Sequence, residues 1–193
     1  MSGRPPTPIL PDNLPIPIDD GACAHLTGTT LPSIAIPSTA SSGPIDLSVL
    51  KGLVIIFCFP RTGAQDEVVP REWDLIPGAR GCTPHACSFG ETSTELHRLG
   101  VQHIFGYSTQ EMYFQKELKE MRGLPYELLS DEGLDWVMAL GLPTLEWQGR
   151  KLVKRLALAV RDGKVVKTWY PIFPPNKNAQ EVIAWLKDEG SEE

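Results

Sequence analysis

Gly81-Cys82-Thr83-Pro84-His85-Ala86-Cys87-Ser88-Phe89 follows, by about twenty residues, the apolar run Leu53-Val54-Ile55-Ile56-Phe57-Cys58-Phe59-Pro60. The run is rich in β-branched and aromatic residues and stops at a proline, which predicts a buried central strand. After Cys82 the pattern changes to helical spacing, with Phe89, Leu96 and Leu99 on or near one face and Gly100 as the stop. A cysteine at a helix N-terminus meets unpaired backbone N–H groups and the positive end of the helix dipole, and both favour thiolate over thiol. A strand that delivers a cysteine to the first turn of a helix is therefore a way of building a nucleophilic sulfur. Cys87 is near enough to capture that sulfur once it is oxidised.

Outward from this pair the chain alternates. A second strand is predicted at 101–108, then a helix near 110–122 whose Phe114, Leu118 and Met121 recur on one face and which stops at Gly123. A hairpin from about Arg155 to Tyr170 turns on Asp162-Gly163, and an amphipathic helix around Ala179, Val182, Ile183 and Leu186 closes the chain. Upstream, Leu31 to Leu50 reads as a short hairpin about Ser41-Ser42-Gly43. This order predicts an α/β, thioredoxin-like layered fold: a central mixed sheet flanked by helices, with an N-terminal hairpin extension. Residues 25–190 form the expected domain. Residues 1–24 read as a Pro-rich arm, because Pro5, Pro6, Pro8, Pro11, Pro15 and Pro17 forbid helix and regular ladder and favour an extended path over the surface. The expectation for the arm is a loosely ordered terminus, with a docked clasp or dimer contact as the rival.

At 193 residues and 41% hydrophobic content the chain suits one domain with a sizeable core. Its formal net charge is −6, and the absence of a long Lys/Arg cluster argues against a nucleic-acid surface. The longest apolar run is too short to span a bilayer, and the N-terminus lacks the pattern of a secretory signal, so a soluble cytoplasmic protein without membrane contact is expected. Four cysteines are too few for a disulfide scaffold in a chain of this size. Zinc would need further ligands, and although His85 and His97 lie nearby, no second paired-cysteine motif occurs, so redox chemistry is favoured and no metal is expected.

Gly81-Cys82-Thr83, with Ala86-Cys87-Ser88-Phe89, resembles the active-site stretch of the Q-type peroxiredoxins, or bacterioferritin comigratory proteins, of the alkyl hydroperoxide reductase/redoxin superfamily. The likeness extends through Leu99-Gly100-Val101, Ile104 to Ser108, Gly123-Leu124-Pro125-Tyr126, Leu128 to Asp131 and Arg155 to Val160, covering roughly residues 25 to 188. It implies a thiol-dependent peroxidase in which Cys82 attacks hydrogen peroxide or an organic hydroperoxide and Cys87 resolves the sulfenic acid as an intramolecular disulfide. A thioredoxin-type donor then recycles it, with no cofactor. The resemblance also implies a monomer or homodimer and assigns Arg155 as the active-site arginine. On an ideal helix the Cys82 and Cys87 Cα atoms would stand roughly 8.7 Å apart, beyond the ~4.4–6.8 Å of a disulfide, so the helix must unwind to let them bond.

The family pattern places a proline seven residues and a threonine three residues before the peroxidatic cysteine, where this chain has Leu75 and Ala79. An insertion accounts for this: the motif begins at Phe59-Pro60-Arg61-Thr62, and Gly63 to Arg80 forms a longer loop before the cysteine. Pro60 then takes the proline role. Thr62 is the nearest source of the hydroxyl, with Thr83 as the other. His85, one turn beyond Cys82, is read as solvated; Cys58 as a small core residue; Cys23 as an exposed bystander. Trp73 and Tyr107 are equally readable as a wall for an organic hydroperoxide or as ordinary packing. Two rival functions keep the thiol pair: a specialised redoxin, meaning a thiol–disulfide oxidoreductase or pathway tailoring enzyme, and a non-catalytic redox sensor.

Overall fold

The computed structural model describes residues 5–64 and 67–190. The arm's first four residues, together with Gln65 and Asp66 of the expected inserted loop, lie outside the described residues. Leu53–Cys58 forms the central strand β3, following the two-residue hairpin strands β1 (Ala35–Ile36) and β2 (Ile45–Asp46). After it come a single-turn helix α1 (Arg71–Asp74), the long helix α2 (Cys82–Arg98) and strand β4 (Val101–Ser108). Helix α3 (Met112–Arg122), strand β5 (Glu127–Ser130) and helix α4 (Asp135–Leu140) follow. Two hairpins, β6 (Thr144–Trp147) with β7 (Arg150–Val153) and β8 (Leu156–Arg161) with β9 (Lys164–Trp169), lead to the closing helix α5 (Asn178–Glu189).

The main sheet has the order β5-β4-β3-β8-β9, with β3, β4 and β5 parallel and β8 and β9 antiparallel to their neighbours. It is mixed, as the strand–helix alternation followed by a hairpin requires. Every residue of β3 is buried, because both faces are covered. Leu53, Ile55 and Phe57 join Phe89 and Leu96 of α2 and Val182 and Ile183 of α5 on one side; Val54, Ile56 and Cys58 join Leu26, Leu47 and Trp136 on the other. Phe57 stacks on Phe89 with centroids 4.5 Å apart, which ties the central strand to the cysteine helix. Burial of each such large side chain contributes roughly 1.5–3 kcal/mol. Gly106 of β4 is needed for close approach, since a Cβ there would lie 2.4 Å from Leu128 and 2.8 Å from Phe57.

The residues after β3 build a third, smaller cluster of Trp73, Ala79 and Leu152, capped by Trp147 edge-on to Trp73 at 5.0 Å. The loop before the cysteine is thus anchored against the β6–β7 hairpin. Two expectations are corrected here. Cys23 is not exposed but lies in the core beside Leu26, and burial, followed by the charges of Asp20 and Asp19, pushes its thiol up to about 12. The described part of the N-terminal arm, residues 5–24, is not loose: Arg122 Nη1 donates to the carbonyls of Pro5 and Pro6, both at 3.0 Å, and Asp20 takes Lys154 at 3.1 Å and the Tyr170 hydroxyl at 2.9 Å. Its carbonyls find buried and charged partners that a pattern of prolines does not reveal.

Candidate active site

Antiparallel pairing places Cys58 opposite Leu156, so the C-terminal end of β3 and the start of β8 lie side by side in the middle of the sheet. Helix α2 begins beside those strand ends, where Arg155 reaches Cys82. Gly81 caps it with φ 104°, a left-handed conformation that favours glycine, and its carbonyl accepts the first helical N–H from His85 at 3.0 Å. Cys82 is the first helical residue and only 4% exposed. Arg155, just before β8, donates from Nη2 to Cys82 Sγ at 3.2 Å. The same guanidinium donates through Nε to the Gly78 carbonyl at 3.1 Å and through Nη2 to those of Ala79 at 3.0 Å and Arg80 at 3.3 Å. Three successive carbonyls therefore hold the arginine against the sulfur.

The fourth side of that guanidinium corrects the reading of His85 as solvated. His85 is fully buried against the edges of the stacked Phe57 and Phe89 rings, and Arg155 Nη1 donates to its Nδ1 at 2.9 Å. Burial, and then the charge of Arg155, depress its basicity well below the ordinary histidine range, so the ring is neutral. Its one proton is then on Nε2 and points to Asn178 Oδ1 at 3.0 Å, while Asn178 Nδ2 donates to Glu181 at 3.2 Å. Each donor faces an acceptor along the line Cys82, Arg155, His85, Asn178, Glu181. Helical spacing turned His85 inward because the helix's apolar face continues to its N-terminus, and Phe57 and Phe89 close around the ring.

Cys82 lies on a cavity of about 100 Å³ shared with Thr62, Trp73, Thr83 and the arm residues Pro8 and Leu10. Thr62 is buried, and Gln110 grips its backbone from both sides, accepting from the Thr62 N–H at 2.7 Å and donating to its carbonyl at 2.9 Å. Pro60 ends the strand behind it; its carbonyl accepts from Ser108 at 3.3 Å, and the residue does not line the cavity. Cys87 is buried deeper in α2, and its neighbourhood includes Tyr126, whose hydroxyl donates to the Ala86 carbonyl at 2.5 Å. All four cysteines are free thiols. Trp73 is a wall of the cavity. Tyr107 is not: it packs on Trp136 on the opposite face of the sheet and bonds Asp131, whose carboxylate also caps α4 at the Trp136 N–H.

The three carbonyls from Gly78 to Arg80, Gln110 and Asn178 carry no chemical signature in the sequence. Their polar groups become functional only when the chain brings them to Arg155, Thr62 and His85.

A sequence model of the Redoxin family matches residues 26–183. The chain is 30% identical over 148 residues to the chloroplastic peroxiredoxin Q of Suaeda salsa, covering 74% of this chain and 59% of the relative. It is 28% identical over 144 residues to the chloroplastic peroxiredoxin Q of Oryza sativa subsp. japonica, covering 74% and 58%. It thus spans about three-fifths of the length of these curated relatives. Among solved structures, peroxidoxin BcpB from Mycobacterium tuberculosis superposes with a TM-score of 0.66 at 26% identity, over 85% of this chain and 98% of that one. A mutant of Xylella fastidiosa PrxQ gives a TM-score of 0.68 at 15% identity, over 86% and 98%, a likeness of fold. No described helix is long and apolar enough to cross a membrane.

Proposed function

The chain belongs to the redoxin family, and from that premise we propose that it is a Q-type, thiol-dependent peroxidase whose reacting sulfur is Cys82. One observation carries the reading: the Arg155 guanidinium donates to Cys82 Sγ, and the same sulfur borders a small cavity. The guanidinium sets a charged donor on the sulfur at the edge of the cavity an incoming peroxide would enter, close to where negative charge develops as the O–O bond breaks.

The Cys82 thiolate attacks the terminal peroxide oxygen. An S–O bond forms, the O–O bond breaks, and the departing alkoxide or hydroxide takes a proton to leave as alcohol or water. The sulfur is oxidised by two electrons. Cys87 then attacks the sulfenic sulfur, releasing water and forming the Cys82–Cys87 disulfide, and a dithiol donor of the thioredoxin type restores both thiols through a mixed disulfide. Thr62 lines the cavity that takes the peroxide, Arg155 reaches the reacting centre through its bond to the sulfur, and Pro60 ends the strand behind Thr62.

With NADPH, thioredoxin reductase and thioredoxin supplied, added hydrogen peroxide should drive continuous NADPH consumption that stops when the protein is omitted. A sensor or a thiol–disulfide oxidoreductase consumes no more NADPH than one oxidation per molecule requires, and that result would count against the proposal.

Thr62→Val tests the source of the hydroxyl. Loss of one charge-assisted hydrogen bond in the transition state, ~1.5–3 kcal/mol, should slow Cys82 oxidation about ten- to a hundredfold. The Gln110 grip is on the backbone and survives the substitution, so thermal stability should change little. An unchanged rate in Thr62→Val with a slowed one in Thr83→Val moves the role to Thr83.

A further inference from the structure

The outer wall of the Cys82 cavity is supplied by a segment more than seventy residues away in sequence. Pro8 and Leu10 of the arm face Thr62, Trp73 and Cys82 across it. Leu10 is half-buried while its neighbour Ile9 turns to solvent at 93% exposure, so Leu10 is the side chain that seats. It seats on Gly81, where an added Cβ would stand 2.8 Å from Leu10 Cδ2 and 2.5 Å from Pro175. Gly81 therefore does two jobs: its positive φ starts α2, and its missing side chain leaves room for Leu10 beside the reacting sulfur.

The arm is held at both ends of this crossing. Arg122, buried at the end of α3, takes the carbonyls of Pro5 and Pro6; Pro17 lies 3.4 Å from the Cβ position of Gly78; Asp20 ties the far end to Lys154 and Tyr170. Six prolines between residues 5 and 17 keep the segment extended before it docks, which lowers the entropy lost on docking.

We propose that the arm is a specificity-determining wall, with Leu10 limiting access to Cys82 to hydrogen peroxide and short-chain hydroperoxides. This rests on the reading of Cys82 as the peroxide-reactive sulfur. The cavity of about 100 Å³ is a third of the ~300 Å³ at which pockets begin to enclose drug-sized organic molecules. A branched aromatic hydroperoxide must displace Leu10 to bring its O–O bond up to the sulfur; hydrogen peroxide need not.

Two variants of the full chain test it. Leu10→Gly removes the side chain, and Arg122→Ala releases the anchored end without touching the cavity. Second-order rates of Cys82 oxidation are measured with hydrogen peroxide and cumene hydroperoxide. In parallel, mass spectrometry follows Cys82 alkylation by iodoacetamide and by a bulky N-aryl maleimide. Each variant should raise the large-to-small rate ratio by about tenfold or more, a barrier change of ~1.4 kcal/mol, in both assays. Ratios within about twofold of the unmodified protein's in both variants, a difference below half a kcal/mol, overturn the wall. If no protein reacts with either peroxide but the alkylation ratio still rises, the peroxidase reading fails and the wall stands.

Discussion

Cys82→Ser is expected to abolish peroxide reduction altogether, whereas Cys87→Ser should retain one rapid oxidation and then stop. Cys82 borders the cavity and receives Arg155; Cys87 lies further into α2, away from both. Breaking the O–O bond needs only the first sulfur. Stopped-flow tryptophan fluorescence resolves the step, since Trp73 forms a wall of the same cavity. Loss of the first oxidation in Cys87→Ser would reverse the assignment. The second step should be slower for a structural reason. α2 is continuous from Cys82 to Arg98, so its first turns must open before a bond can form across roughly 8.7 Å of helix. Pro84 sits in that first turn, where its missing N–H costs the helix no hydrogen bond, so the first bond that must break is the one from the His85 N–H to the Gly81 carbonyl. His85 lies between the two cysteines, so opening the turn also parts it from Arg155 and Asn178. Peptide mapping of peroxide-treated protein should recover a Cys82–Cys87 bond, with hydrogen exchange rising over residues 80–90. A dominant Cys23–Cys82 bond, or one between chains, would refute the pairing.

The legible parts of the fold were those in which one chain segment carries its own period. The predicted strand through Cys58 is β3, the helix from Cys82 to Gly100 is α2, and the Asp162-Gly163 hairpin and closing helix fall where the pattern puts them. Helix α4 and the β6–β7 hairpin were not anticipated because their side chains pack against distant partners: Trp136 against Tyr107, and Leu152 and Trp147 against Trp73. The site divides in the same way. Cys82 and Cys87 stand out by their position at the start of a helix, whereas Arg155 is marked only by the family resemblance, since beside Lys151 and Lys154 its own surroundings read as a surface group. Helical spacing turns His85 inward, but the partner that fixes its proton, Asn178, lies ninety-three residues later in the chain, and no local pattern encodes that meeting. Ala79, which interrupts the family motif, contributes through its backbone: its carbonyl holds Arg155, a role any residue in that conformation can fill.

Arg155→Lys should lower the rate of Cys82 oxidation by about a hundred- to a thousandfold, the ~2.7–4 kcal/mol associated with losing one pre-aligned donor to a developing oxyanion. A lysine keeps the charge but has three N–H donors at one point, whereas Arg155 spreads donors to the sulfur, three carbonyls and His85. It cannot serve both the sulfur and the loop. If charge alone sufficed, the lysine variant would stay within about tenfold, ~1.4 kcal/mol, and the geometric argument would fail. His85 separates positioning from proton transfer. Its proton is directed to Asn178, away from the sulfur, so it acts by aligning Arg155. Its folded basicity lies well below the ordinary ~6.5 of histidine, so the rate should carry no histidine inflection between about pH 6 and pH 8. Stability has the matching sign. Below about pH 6.5 the unfolded chain binds a proton at His85 that the folded chain refuses, so this contribution is full above that pH and is lost on acidification. His85→Ala should therefore slow oxidation while flattening the acid side of the stability profile. An equal slowing without that flattening would mean that His85 carries charge in the folded protein, and the alignment from Glu181 to Cys82 would have to be redrawn.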